Sequence, residues 1–256
     1  MKLAANLSFL WSDLPFLDRF DAAAAAGFQA IEVLFPYEIS AREMQTAMRR
    51  NSLHMVMMNA PPPNYTGGER GFAAIPGGQD RFQHDMKRAF RYAETLNVKI
   101  LHIMSGIASG PEAFDTLVEN LKWASRNAPK GLILTIEPIC QEDAPGYYLS
   151  DYQLAARVLD VVRKPNVRLQ YDSYQAQMLH GDAIDVWRRF GLRAAHVQLA
   201  DTPGFLAPGE GEIDFATLLN DIQNSGYKGW ISAQYKPKPR TTDDSFGWIK
   251  KLGLAA

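Results

Sequence analysis

Short apolar runs recur along the chain, and each gives way to a stretch with the spacing of an amphipathic helix. The runs cover residues 3–8 (LAANLS), 30–35 (AIEVLF), 53–59 (LHMVMMN), 99–104 (KILHIM), 132–137 (LILTIE), 167–172 (VRLQYD), 194–199 (AAHVQL) and 230–234 (WISAQ). Stretches such as FLDRFDAAAAAGF and RFQHDMKRAFRYAETLN lie between them and read as helices. Ser40 with Glu43, and Ser150 with Gln153, read as capping boxes. Pro111 sits where a first helical residue belongs, and Gly27 and Gly191 read as helix stops. Strict alternation of strand and helix predicts a parallel sheet with helices outside it. Eight repeats in 256 residues predict a closed α/β architecture, the (β/α)8 TIM barrel, as one domain over residues 1–256. The alternative is an open doubly wound sheet, which usually carries a Gly-rich phosphate loop after its first strand. The corresponding stretch here, NLSFLWSDLP, has no such fingerprint.

Composition narrows the function classes. Apolar residues make up 46% of the chain, enough for a sizeable core. Formal charge is −1, from 27 basic and 28 acidic residues, so there is no basic stripe for nucleic acid. The single cysteine, Cys140, excludes an intramolecular disulfide and fits a reducing compartment. The opening MKLAANLSFLW lacks the apolar core of a signal peptide, and no run approaches the roughly 18 apolar residues of a membrane span. A cytoplasmic protein without membrane or nucleic-acid partners is expected, with a homo-oligomer left open.

In a barrel the chemistry gathers where strands end. Polar residues there are Asn6 and Ser8, Glu32, Asn59, His102, Glu137, Asp172, His196 and Gln198, and Gln234. A carboxylate buried alone is costly unless paired or bound to a metal. Glu137 and Asp172, each closing an apolar run, are therefore the leading pair; a salt-bridged rim is the alternative. With the amide oxygens of Gln198 and Gln234 they make an all-oxygen set, which favours Mg²⁺ or Mn²⁺ over zinc. His54, His84 and His180 fall at a strand start or in helical patterns, away from the strand ends. His102 is a candidate pocket residue, or a hydrogen-bonding group within the barrel. His196 shares a strand face with Gln198. The long Gly- and Pro-rich segment 59–78 reads as a lid, in which Arg70 could clamp a carboxylate or pair with Glu69. Lys236 and Lys238, past the last strand, are candidates to attract an acidic substrate.

At IEPI, QYDSYQAQ, HVQLAD, GEGEIDF and GWISAQYKP the chain resembles the hydroxypyruvate isomerase family of xylose-isomerase-like barrels. LAANLS, IEVLFPY and GGERGFAAIPGG (residues 67–78) extend the resemblance over essentially the whole length. It implies a divalent metal held at Glu137, Asp172, Gln198 and position 234, with glutamates at 137 and 234 also moving the proton. The chain departs from that pattern three times. Position 234 is Gln, the His expected three residues after Asp172 is Gln175, and DTPGFLAPGEGE lacks the basic or imidazole residues that often follow the seventh strand.

Aldose–ketose isomerisation moves a proton between adjacent carbons through an enediolate, with a metal polarising the carbonyl. An amide can ligate but cannot accept a proton. The expectation is a one-base isomerase of a small hydroxy-oxo acid, hydroxypyruvate to tartronate semialdehyde, with Glu137 as base and Gln234 as ligand. Arg70, His102, Gln175 and Lys236 are the candidate substrate contacts. The alternatives are a 2-oxo-tetronate isomerase, a ketose 3-epimerase relative acting on a sugar, and a sugar-acid binding protein whose turnover Gln234 has impaired. A zinc endonuclease would need more histidines at strand ends and a basic face.

Overall fold

The computed structural model describes residues 1–60, 70–237 and 241–254. Among them eight parallel strands close into a barrel in sequence order. The strands are β1 (Lys2–Asn6), β2 (Ala30–Glu32), β3 (His54–Asn59), β4 (Ile100–His102), β5 (Ile133–Ile136), β6 (Val167–Asp172), β7 (Ala194–Leu199) and β8 (Trp230–Ala233). β8 returns to β1 in a four-residue register, from Lys2 opposite Trp230 to Ala5 opposite Ala233. Helices α1 (Asp18–Ala25), α2 (Ala41–Arg50), α3 (Gln79–Leu96), α4 (Pro111–Asn127) and α5 (Tyr152–Val162) each connect consecutive strands. α6 (Ser173–His180) and α7 (Ala183–Phe190) share one connection, α8 (Phe215–Asn224) leads into β8, and α9 (Gly247–Lys251) follows it. The eight predicted runs all appear as strands. β5 and β8 stop one residue short of Glu137 and Gln234, although the Gln234 amide still donates to the Leu199 carbonyl at 3.0 Å.

Two helix-end readings change. Ser40 does cap α2: its hydroxyl accepts from the Glu43 amide at 3.2 Å and donates to the Glu43 carboxylate at 2.6 Å. For α5 the cap is Asp151, not Ser150. Asp151 is extended, and its carboxylate accepts from the Gln153 amide at 2.8 Å. An Asp caps as well as a Ser, so sequence alone leaves the position one residue uncertain. Gly27, at φ +94°, follows α1 as a left-handed stop. Gly191 does end α7, as its C-cap, but without the left-handed form: at φ −58° it leads into a 3₁₀ turn. Its glycine is required by space, since a Cβ would collide with the Trp187 indole.

Close backbone packing shapes the barrel mouth. Gly71 and Gly106, both at positive φ, leave room for the Met104 and Gly71 carbonyls respectively, so the chain leading into α3 lies against the segment after β4. Residues 61–69 of the expected lid, including Glu69, lie outside the described residues, as does Lys238. On the other side, buried Asp201 accepts four backbone amides: Thr202 at 2.8, Gly209 at 3.0, Gly211 at 2.8 and Ile213 at 3.0 Å. The motifs HVQLAD and GEGEIDF are thus two halves of one loop folded around a carboxylate. Removing that acceptor strands several buried donors at about 1–3 kcal/mol each. Asp201→Ala should therefore lower the Tm by at least about 5 °C, with Asp201→Asn intermediate, as calorimetry would read directly.

Candidate active site

The carboxyl end of the barrel is floored by side chains that hydrogen-bond to one another. Asn6 ends β1 and turns its Oδ1 back to the Ser8 backbone amide at 2.9 Å, which aims its Nδ2 inward. That nitrogen donates to Glu32 Oε1 at 2.8 Å and to Gln234 Oε1 at 2.6 Å. Glu32, fully buried at the end of β2, also takes Gln198 Nε2 on Oε1, and its Oε2 lies 2.6 Å from His196 Nε2. Wherever the proton between Glu32 Oε2 and His196 sits, Oε1 can only accept. Gln198 must then show it nitrogen, and that nitrogen also donates to Gln234 Oε1 at 2.7 Å.

The orientation of Gln234 follows from both sides. Its oxygen meets two amide nitrogens, and its Nε2 donates to Asp172 Oδ2 at 3.0 Å. Turning the amide over would set NH₂ against NH₂ twice and oxygen against a carboxylate. Asp172 is doubly employed, because its Oδ1 also accepts the Gln175 amide at 3.1 Å as the N-cap of α6. Gln170 completes the floor: its Nε2 donates to Glu137 Oε2 at 2.8 Å and Gln198 Oε1 at 2.9 Å, and its Oε1 accepts the Thr135 hydroxyl at 3.0 Å.

Above this floor lies a cavity of about 540 Å³. Glu137, Gln198, Gln234, His102, Gln175, Arg70 and Lys236 all contribute to its lining. Asp172 does not; it is fully buried behind the Gln234 amide. Gln175 spends both ends of its amide on the loop after β5, accepting from the Cys140 backbone at 2.7 Å and donating to Asp143 at 2.8 Å. Arg70 and Lys236 are exposed at the rim. Phe9, Leu34, Phe35, Met104, Ile139 and Phe205 form the apolar wall. Phe205 comes from the loop in which the resemblance leads one to expect basic or imidazole groups. It stacks on Tyr174 and Phe9 and carries the Lys236 ammonium 5.1 Å from its ring centre.

Electrostatically the floor gathers the carboxyls of Glu32, Glu137 and Asp172, with the His196 imidazole beside Glu32 and the His102 imidazole beside Glu137. Burial first, then the charges of Asp172 and Glu32, push the Glu137 carboxyl well above the usual range, against a lowering bond from Gln170. Burial also raises Asp172, opposed by the amides of Gln175 and Tyr174. His102 moves the other way, to about 3, through burial and the neighbouring His196, and is a neutral imidazole. Its Nδ1 faces Asn59 Oδ1 at 3.2 Å and Glu137 Oε2 at 3.7 Å, both acceptors, so Nδ1 bears the hydrogen. Its Nε2 lone pair is buried without a partner among the described residues. His196 braces Glu32, while His54, His84 and His180 are exposed and remote from the floor.

The residue pattern matches the model of the xylose isomerase-like TIM barrel over residues 20–252. Hydroxypyruvate isomerase of Escherichia coli K12 is 35% identical over 97% of this chain and 98% of its own. The chain belongs to this family. A 2-oxo-tetronate isomerase of Cupriavidus necator is 36% identical, covering 97% of both chains. A crystal structure described as AP endonuclease, family 2, from Brucella melitensis superposes with a TM-score of 0.93 at 34% identity over 98% of each chain. The full-length isomerase relatives make this an isomerase-family chain.

The four-ligand dication centre implied by the resemblance does not fit the residues as they stand. Gln234 turns a donor, not an oxygen, toward Asp172, and Asp172 is withdrawn from the cavity. Gln170 and Asp143 complete the site without having been named from the sequence, and Glu32, read there as a strand-end polar residue, had been given no role. Gln170 was within reach of period-two reading, since it lies two residues before Asp172 and shares its face.

Removing the Glu137 charge tests the electrostatics. Its folded pKa is raised, so no penalty exists below its ordinary value near 4.5, and the penalty grows as pH rises toward the folded value. Glu137→Gln should therefore raise the Tm in the presence of chelator. The gain should be about 2 °C or more at pH 8 and smaller at pH 5.5, as a pair of melting scans would show.

Proposed function

We propose that the chain isomerises a small hydroxy-oxo acid, of the hydroxypyruvate or four-carbon 2-oxo acid type, through an enediolate with Glu137 as base. The observation that carries this is Glu137 itself. It is a carboxylate with a raised pKa in a cavity whose lining brings the cations Arg70 and Lys236 together with the acidic Glu38 and Asp143, in a chain related over its full length to isomerases. A base with a raised pKa is better matched to a carbon-bound proton than an ordinary glutamate.

For hydroxypyruvate the carbon-bound proton moves from C3 to C2, and the hydroxyl proton moves from the C3 oxygen to the C2 oxygen. Glu137 carries the first. The second passes between the two adjacent substrate oxygens, in a cavity that His102 helps to line. Arg70 and Lys236 hold the substrate carboxylate at the rim, Arg by a two-pronged contact. The hydrogen-bond donors lining the cavity are what the chain offers the developing oxyanion. Gln234 cannot take a proton, so a two-base epimerisation is disfavoured.

Turnover is read by proton NMR in D₂O, where an enediolate route exchanges solvent deuterium into the substrate carbon. Glu137→Gln should cut exchange and turnover by about 10²–10⁴-fold. Unchanged rates in a folded Glu137→Gln protein would remove the base from this mechanism. Arg70→Ala should raise KM about tenfold while leaving kcat within a few-fold, since the contact serves ground and transition states alike. The Gln234 amide favours one second reading, a binding protein for the same acids. Binding heat without any exchange in wild type would select it.

A further inference from the structure

We infer that the strand-end cluster of this chain works as a metal-free hydrogen-bonded network, in which Gln234 Nε2 stands where the resemblance puts a dication. The inference rests on donor direction and is independent of which acid is turned over. Two groups that leave no choice set that direction. The Ser8 backbone N–H can only donate, so Asn6 presents Oδ1 to it and Nδ2 to Gln234. Glu32 Oε1 can only accept, so Gln198 presents Nε2 to it and, through the same nitrogen, to Gln234. Both of these neighbours show hydrogens to Gln234, so its oxygen is spent on them and its own hydrogens face Asp172. A cation on Asp172 Oδ2 would meet those hydrogens rather than a lone pair. The Gln198 oxygen is also engaged, by Gln170.

A glutamate at 234 would satisfy the same two donors with one oxygen and turn its second oxygen, with a negative charge, toward Asp172. Two carboxylates facing one another across that gap need a cation or a shared proton between them, and so offer a dication a site; a carboxylate facing an amide nitrogen needs neither. The single change from carboxylate to amide thus removes a ligand and a charge, and supplies the hydrogen bond that replaces the ion. Hard dications depend on anionic oxygen ligands, so the loss is read as affinity.

Calorimetric titration with Mn²⁺ tests this on the full chain, after chelation and buffer exchange. Wild type should show no saturable binding up to 1 mM (about 10³ μM, a ceiling for weak sites), and any turnover should be unchanged by EDTA. Gln234→Glu should bind Mn²⁺ at least about 100-fold more tightly, with a Tm that rises on adding the metal. Wild-type binding in the micromolar range would overturn the inference, as would EDTA-sensitive wild-type turnover. A folded Gln234→Glu protein that also ignores Mn²⁺ would overturn the assignment of the block to Gln234. Should that variant not fold, the wild-type titration and the EDTA comparison decide the question alone.

Discussion

A buried carboxylate at the centre of the barrel organises everything around it. Glu32 has no exposure, yet three side chains from β1 and β7 converge on its two oxygens. A group that can only accept, placed where water does not reach, dictates the sense of every amide in contact with it. Asn6 and Gln198 must offer nitrogen, Gln234 must answer them with oxygen, and the chain of consequences ends at Asp172. The orientation of the floor is thus not a set of independent choices. It propagates from Glu32 on one side and from the Ser8 backbone on the other, and the two agree at Gln234.

That floor gives the cavity two characters. Below, amides and carboxyls bond to each other, and the charge of Glu137 is disfavoured by burial and by its neighbours. Above, an aromatic and aliphatic wall leads to the exposed side chains of Arg70, Lys236 and Glu38. Under the proposed function, an acidic ligand would meet Arg70 and Lys236 first and, deeper in, the Glu137 carboxyl with its raised pKa. The same burial that sharpens Glu137 strains the ligand-free protein, the usual tension between a poised site and a stable fold. Phe205 shows how the loop after β7 has been put to a different use here, closing the cavity by stacking rather than by charge.

The loops that frame the site are held by backbone contacts more than by side-chain packing. Gly71 and Gly106 let two chain segments approach backbone to backbone beside β4, and Asp201 gathers four amides into the turn before α8. Such contacts account for the Asp of HVQLAD and the glycines of GEGEIDF whose amides it accepts. GEGEIDF shapes the loop that delivers Phe205 to the cavity, and its acidic residues are not part of the floor.

The barrel was legible in the chain because eight apolar runs, each followed by a helical period, permit few other closed arrangements. Strand ends were legible for the same reason: a polar residue closing a buried run announces a position where function outweighs burial. Glu137, Asp172, Gln198 and Gln234 were found that way, and the resemblance supplied their expected roles. Cap positions were read only to within a residue, as Asp151 in place of Ser150 shows, because neighbouring side chains compete for the same amide. The direction of the Gln234 amide was beyond sequence altogether. An amide offers a donor and an acceptor of nearly equal reach, and which one faces Asp172 depends on Asn6, Glu32 and Gln198, brought from three other strands. Sequence by itself determined the barrel and the identity of the groups at its mouth. Only the tertiary structure decided which way their hydrogens point, because that is set by partners up to 228 residues apart.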